Sequence, residues 1–318
     1  MGGLVSRAAG WGAHCISPKI IDRETGEEIP EPEPYHGEVE LGIFYGNWLG
    51  HLWLWTIIVR IYFRWRGKIT GWMYNKPRSA KEIQQFAKTY QVNMSEVEKP
   101  VEYYGTLNEF FCRRLKDGVR PVAEPDNPRV AVSPADSRAL VFDTVTDATA
   151  LWIKGKNFTV AKLLGSGYDA RAWEGCAIII NRLAPVDYHR LHAPVTGVLR
   201  KVTRVGSTLY AVEAAAINSP IDVYTMNERA IMEFDSPSFG TVIFCVIGAS
   251  QVGSCNISAY EGDAIRKGTE VAFFKYGGSA TLTLFKRNTI KWDEDLSSNS
   301  KNLWETKVKV GQSIGRRH

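Results

Sequence analysis

From about Val130 onward the chain is written as short apolar runs separated by Gly, Pro and Asn, and this punctuation restricts the fold more than any other feature. The runs cover 130–132, 139–142, 177–180, 195–202, 208–212, 231–234, 240–247, 269–274 and 280–285. Segments of this length, rich in Val, Ile and Phe and closed by turn formers, predict β-strands. Many of them at short spacing predict a sandwich or barrel. The run 177–180 has no polar alternation and is expected to be buried on both faces. One helix is predicted inside the array, over 160–164, and no repeat of fixed period occurs. The expected class is α+β: N-terminal membrane-associating helices packed on a mostly antiparallel, sandwich- or barrel-like β core.

The first part of the chain reads differently. Residues 1–40 carry few aliphatic residues after Val5, and 27–34 is acidic and Pro-rich, so this segment is expected to be a disordered linker. Its start, Met1-Gly2-Gly3-Leu4-Val5-Ser6, matches the pattern for N-myristoylation of Gly2. One acyl chain holds a membrane only marginally and needs a second signal. Residues 41–59 supply a candidate, 19 positions without Asp, Glu, Lys or Arg, just long enough to span a bilayer. Gly46, Asn47, Gly50 and His51 weaken its first half; 52–63 is stronger and aromatic-rich. Three readings stay open: a transmembrane helix, a helix on the membrane surface, or a buried core helix. The block 60–88 holds eight Lys/Arg against one acid, Glu82, which suits an anionic membrane surface. Residues 41–72 are therefore expected to anchor on or in a membrane, with 73–318 as the main folded domain. A cleaved signal peptide is not expected, because the apolar run starts about forty residues in. Within 73–318, Ser79-Ala80-Lys81-Glu82 has capping-box spacing, with Ile83, Phe86, Ala87 and Tyr90 on one helical face behind it. Thr106 to Glu109 repeats the signature and predicts a helix carrying Phe110, Phe111 and Leu115 and ending at Gly118.

Net charge, +5 over 318 residues, is too mild to argue for nucleic acid. Five cysteines without a CxxC suggest a reducing compartment and no metal site. Four elements could carry chemistry: Ser133-Pro134-Ala135-Asp136, the stretch from Asp187 to Pro194 with His189 and His192, the Gly/Ser loop 248–254, and Gly277-Gly278-Ser279. Each also has a plain structural reading, as a turn, a satisfied histidine or a glycine bend. His189 and His192 lack further clustered ligands, which argues against zinc. An Asp, a His and a Ser together can form a proton relay. The G-x-S-x-G elbow of hydrolases is absent, so an ordinary esterase or protease is not supported.

Taken in order, several blocks resemble the phosphatidylserine decarboxylase family of pyruvoyl enzymes. They are Glu96-Val97-Glu98-Lys99-Pro100, the stretch Leu107 to Leu115, Ser133 to Asp136, Leu183 to Pro194, Ile217-Asn218-Ser219-Pro220, Asn227-Glu228-Arg229, Gly248 to Ser254 and Gly277-Gly278-Ser279, over about residues 74–315. The resemblance implies that Ser279 attacks the Gly278 carbonyl, with Asp136 and His192 as the relay that removes its proton. The ester so formed would undergo β-elimination, and hydrolysis would leave a pyruvoyl group at position 279. A large chain, 1–278, and a small chain, 279–318, would stay together. The pyruvoyl cofactor would act as electron sink for loss of CO2, and His189 would reprotonate the carbanion as general acid. The family's substrate is phosphatidylserine, and association of the β core into a homodimer is also implied. The expected place is an intracellular membrane, with mitochondrial and endomembrane locations both open. Soluble amino-acid decarboxylation and a non-processing membrane-bound β domain are the alternatives. Two departures stand out: Ser137 follows Asp136 where the family commonly has Gly, and Ala280 follows Ser279 where it usually has Ser or Thr.

Overall fold

The computed structural model describes residues 19–31, 57–151, 158–206, 208–210, 222–248, 255–276 and 279–318. In chain order the elements are β1 (Ile20–Asp22), β2 (Glu28–Ile29), α1 (Ile57–Tyr74), α2 (Ile83–Thr89), α3 (Leu107–Phe111), β3 (Val130–Val132), β4 (Ser137–Phe142), α4 (Val145–Leu151) and α5 (Val160–Leu164). Then come β5 (Ala177–Leu183), β6 (Arg190–His192), β7 (Gly197–Val205), α6 (Val223–Met226), β8 (Arg229–Ser236), β9 (Gly240–Gly248), β10 (Cys255–Ile257), β11 (Ala264–Ile265) and β12 (Glu270–Phe274). The last are β13 (Ser279–Phe285), β14 (Ile290–Trp292), α7 (Glu294–Lys301), β15 (Glu305–Val308) and β16 (Ser313–Arg317).

Ten strands form one sheet in the order β11-β7-β8-β9-β13-β5-β4-β15-β1-β2, and two three-stranded sheets, β10-β12-β6 and β14-β16-β3, complete the β structure. Every pairing is antiparallel except β1 with β15. The class is thus α+β with mostly antiparallel sheets. β13 lies in the middle, in register from Ser279 opposite Leu183 and Gly248 to Phe285 opposite Ala177 and Val242. Its alternation sends Ala280, Leu282 and Leu284 into one core, shared with α4, α5 and α6 through Ala148, Leu163 and Tyr224. Phe285 faces the other core, where residues of the small sheets such as Leu191, Phe274 and Ile314 pack. Burying a side chain such as Leu282 contributes about 1.5–3 kcal/mol.

Residues after 279 are woven into the rest of the chain. β13 lies between β5 and β9, β15 between β4 and β1, and β16 pairs with β3. Glu305 of β15 also accepts two hydrogen bonds from the buried Arg182 of β5, at 2.6 and 2.7 Å.

Several expectations need correction. Residues 19–31, assigned to a disordered linker, form β1 and β2, and Glu31 pairs with Arg138 and Arg182 at 3.1 and 3.0 Å. The acidic residues there answer arginines that are far away in sequence. Ser79 caps no helix. It lies in a 3-10 turn, Pro77–Glu82, and its hydroxyl meets Lys76 O at 2.7 Å and accepts the Leu107 N–H at 3.0 Å. Thr106 does cap α3, accepting the Glu109 N–H at 3.1 Å. That helix stops at Phe111, however, and Leu115 bridges to Val97 instead. Thr208 makes only an isolated bridge, to Asn227, in place of a predicted strand. Gly2 and residues 41–56 lie outside the described residues.

Helix α1 is inverted relative to a core helix. Ile58, Ile61, Trp65, Ile69, Trp72 and Met73 recur at helical spacing and are all at least half exposed. Gly67 and Gly71 on another face are buried. Lys68 and Lys76 lie over the Trp65 and Trp72 rings, at 5.6 and 4.6 Å. Among the described residues no helix is long and apolar enough to cross a membrane.

Candidate active site

Three of the four motifs meet at one end of the central sheet. β5 ends at Leu183, and the chain turns through Ala184 to Tyr188 to reach His189. The turn is closed locally: the Ala184 N–H donates to Asp187 Oδ2 at 2.6 Å, and the Asp187 N–H to Ala184 O at 2.9 Å. β6 then pairs with β12, placing His192 opposite Glu270 and Arg190 opposite Phe273. The Phe274 N–H donates to His189 O at 3.0 Å. From Phe274 the chain passes Lys275 and Tyr276 before entering β13 at Ser279, beside Leu183 and Gly248. Tyr276 is buried, its ring 5.0 Å from that of Phe111, which in turn lies 4.0 Å from the His189 imidazole. Gly277, Gly278, the side chain of Ser279 and residues 249–254 of the Gly/Ser loop lie outside the described residues.

The two histidines share a tautomer. His189 Nδ1 is 2.8 Å from Asp187 O, and His192 Nδ1 is 2.8 Å from Gly268 O. A carbonyl only accepts, so each Nδ1 carries the proton and each Nε2 carries the lone pair. Both Nε2 atoms are buried with no hydrogen-bond partner among the described residues. Burial pushes the His189 pKa down to about 3, against the pull of the Asp187 carbonyl. Burial also lowers that of His192, while the Gly268 bond and the Glu270 and Asp136 carboxylates oppose the shift. Asp187 is pushed up to about 6, first by burial, with Arg138 acting against it.

Asp136 does not join His192 by a hydrogen bond. Arg120 grips it with Nε at 3.0 Å from both oxygens and Nη2 at 2.6 Å, and the Val310 N–H donates to Oδ1 at 2.8 Å. Arg120 also pairs with Glu96 at 3.0 Å. Asp136 therefore acts on His192 through space, although its own turn is tied to the histidine strand by the His192 N–H donating to Pro134 O at 2.9 Å. Ser137, the first departure from the family pattern, accepts from Asn181 Nδ2 at 2.9 Å and so links β4 to β5. Ala280, the second, is fully buried in the core beside Leu282.

Sequence reasoning missed Arg120, Arg113 and Phe111 as parts of this site. All three lie in 107–120, read as a helix with its tail and, over 107–115, as a block of the family resemblance, with no site role given to them. Their partners, Asp136, Val186 and His189, come from other segments.

The model of the family described as phosphatidylserine decarboxylase matches residues 107–316, about two thirds of the chain. The chain belongs to this family. A relative from Schizosaccharomyces pombe, phosphatidylserine decarboxylase proenzyme 3, is 45% identical over 247 residues, 78% of this chain and 26% of that protein. Proenzyme 2 of Komagataella phaffii is 37% identical over 309 residues, 96% of this chain and 30% of its own length. The phosphatidylserine decarboxylase proenzyme of Fusobacterium nucleatum is 32% identical over 298 residues, 93% of this chain and 97% of that protein. The chain thus spans about a quarter to two fifths of the fungal and plant relatives it matches, and nearly all of the bacterial one. Asp136, His189, His192 and Ser279 all lie within the matched family region.

Proposed function

We propose that this chain cuts itself between Gly278 and Ser279 and then decarboxylates phosphatidylserine to phosphatidylethanolamine with a pyruvoyl group made from Ser279. One observation carries the reading: a buried imidazole with an unpartnered Nε2 is held, through the Phe274–His189 bond, beside the segment that leads into Ser279. Ser279 opens the central strand, where it and the next residues are fixed by neighbours on both sides.

For cleavage, His192 Nε2 takes the Ser279 hydroxyl proton, and the oxygen attacks the Gly278 carbonyl. The acyl group moves from nitrogen to oxygen. Elimination then frees the Gly278 carboxylate, and hydrolysis of the remaining dehydroalanine releases ammonia and leaves the pyruvoyl group. The strand pairings after position 279 and the Arg182–Glu305 pair keep the 279–318 chain in place.

The residues around position 279 fit a group that arrives late, because His189 Nε2 is buried and has no hydrogen-bond partner among the described residues. The pyruvoyl carbonyl supplies an electron sink for the decarboxylation. His189, held neutral by burial, cannot begin as an acid. The substrate amine arrives as an ammonium and must lose a proton to react. His189 Nε2 takes that proton and later returns it to carbon, while the Nδ1–H stays on Asp187 O.

The exposed apolar stripe of α1, with lysines at its aromatic rings and no acid in the helix, supports contact with an anionic membrane surface. It favours a lipid over a free amino acid. The test is direct. Fresh protein on a denaturing gel should give two bands, and phosphatidylserine in detergent should release CO2. A single band, or CO2 from free serine but not from the lipid, would overturn the proposal.

A further inference from the structure

A cavity of about 560 Å³ opens beside the site, lined among others by Asn75, Tyr104, Arg113, Arg114, Arg190 and Lys275. Arg113 is 4% exposed, yet only its Nη2 finds a partner, donating to Val186 O at 2.7 Å, with Asp187 O farther off at 3.5 Å. Its Nε and Nη1 are buried with no hydrogen-bond partner among the described residues. The Oη of Tyr104, which is 8% exposed, lies near the Lys99 backbone, but its own O–H finds no acceptor among the described residues. Both side chains pack on the Phe110 ring, Arg113 at 5.3 Å and Tyr104 edge-on at 5.3 Å, and both line the cavity wall, with the unused donors just beneath its surface. Asp136 and Asp187 act on this guanidinium through space, but among the described residues no carboxylate pairs with it directly. A desolvated guanidinium without a direct carboxylate partner is costly, and this one is shaped for a two-oxygen anion.

The carboxylates at the cavity are engaged elsewhere. Glu109 accepts the Gly105 N–H at 2.7 Å, Glu98 pairs with Lys99 at 3.3 Å, and Arg190 is held by Glu270 at 2.6 Å. That leaves the Arg113 and Tyr104 donors for an incoming anion.

On the reading of the chain as a phospholipid decarboxylase, we infer that Arg113 and Tyr104, with Lys275, bind the phosphodiester of the lipid substrate. The serine carboxylate is the weaker candidate. It must lose its charge as CO2, and a cation clamped on it would stabilise the ground state more than the transition state. The phosphodiester keeps its charge throughout. Position also agrees. Asn75, at the mouth, directly follows the last residue of α1, whose apolar stripe would take the acyl chains. Lys275 and the Arg113-bound Val186 lie on the two segments that lead to Ser279 and His189.

The test is calorimetric titration of Ser279→Ala protein in detergent with three probes: dihexanoyl phosphatidylethanol, dihexanoylglycerol and inorganic phosphate. The phosphodiester lipid should bind at least about tenfold more tightly than the neutral lipid, about 1.4 kcal/mol. Arg113→Met should remove that preference. Tyr104→Phe and Lys275→Met should each reduce it several-fold, and they keep the test open if Arg113→Met does not fold. Equal affinity for the two lipids, or an unchanged preference in Tyr104→Phe and Lys275→Met, overturns the assignment. So does tighter binding of inorganic phosphate than of the lipid. Because the Ser279→Ala protein makes no cofactor, this result is separate from whether wild-type protein releases CO2.

Discussion

His189 and His192 lie three residues apart and look alike at first: each holds a backbone carbonyl through Nδ1, and neither Nε2 has a partner among the described residues. Their surroundings differ. His189 is sealed against Phe111, next to the cavity with the unsatisfied Arg113, and its acidic neighbour Asp187 presents a carbonyl to it rather than a carboxylate. His192 is less buried, lies beside Tyr188 at 5.7 Å, and feels the Glu270 and Asp136 carboxylates. Nearby negative charge stabilises a protonated imidazole, which suits a base that must hold a serine's proton. A sealed neutral imidazole suits proton exchange with a substrate that excludes water. On the proposed function, this difference would divide the work: His192 for cleavage, His189 for decarboxylation.

The largest effect should come from His192→Ala, which should leave one uncut chain on a denaturing gel, as should Ser279→Ala. Two bands from His192→Ala would break the division. His189→Gln should still cut but lose about 10²–10⁴-fold in decarboxylation rate, measured as CO2 from phosphatidylserine. If it kept full activity, the proton would come from another group. Asp136→Asn should cost about 3–5 kcal/mol in urea unfolding, because it strips the charge from the Arg120 pair. Its cleavage rate sharpens the comparison. Cutting at the wild-type rate would mean that His192 needs no carboxylate.

Smaller again, per pH unit, is the effect on pH dependence. The native pKa of His189 is depressed, so between about 6.5 and about 3 the unfolded chain binds a proton there that the native chain does not. Stability is therefore lost as pH falls through this window, by at most about 1.4 kcal/mol per unit from this group. Asp187, raised to about 6, works in the opposite sense below that value. Comparing Ser279→Ala with the Ser279→Ala/His189→Gln double variant isolates the histidine. Parallel stability curves between pH 6 and 4 would show that His189 is not held neutral.

Much of this was legible in the residues because it is local. The helix expected around 160–164 is there, and Ala280 to Phe285 forms the expected strand, because apolar periodicity is a local signal. The expectation of a single helix within the strand array was wrong: α4, α6 and α7 also interrupt it. The linker reading of 19–31 failed because β1 and β2 are held by β15 and by arginines of β4 and β5, which no local pattern reveals. The capping reading of Ser79 failed because its hydroxyl has a better partner in α3.

By itself the sequence determined the class of fold, the blocks that mark the family, and the residue types available at Asp136, His189, His192 and Ser279. Only the tertiary structure decided how they are used. It gave Asp136 to Arg120, set both histidine protons on Nδ1, and left two Arg113 donors without a partner among the described residues. The physical reason is that a proton's position and a charge's saturation depend on which groups meet after folding, and here the groups that meet come from segments far apart in the chain.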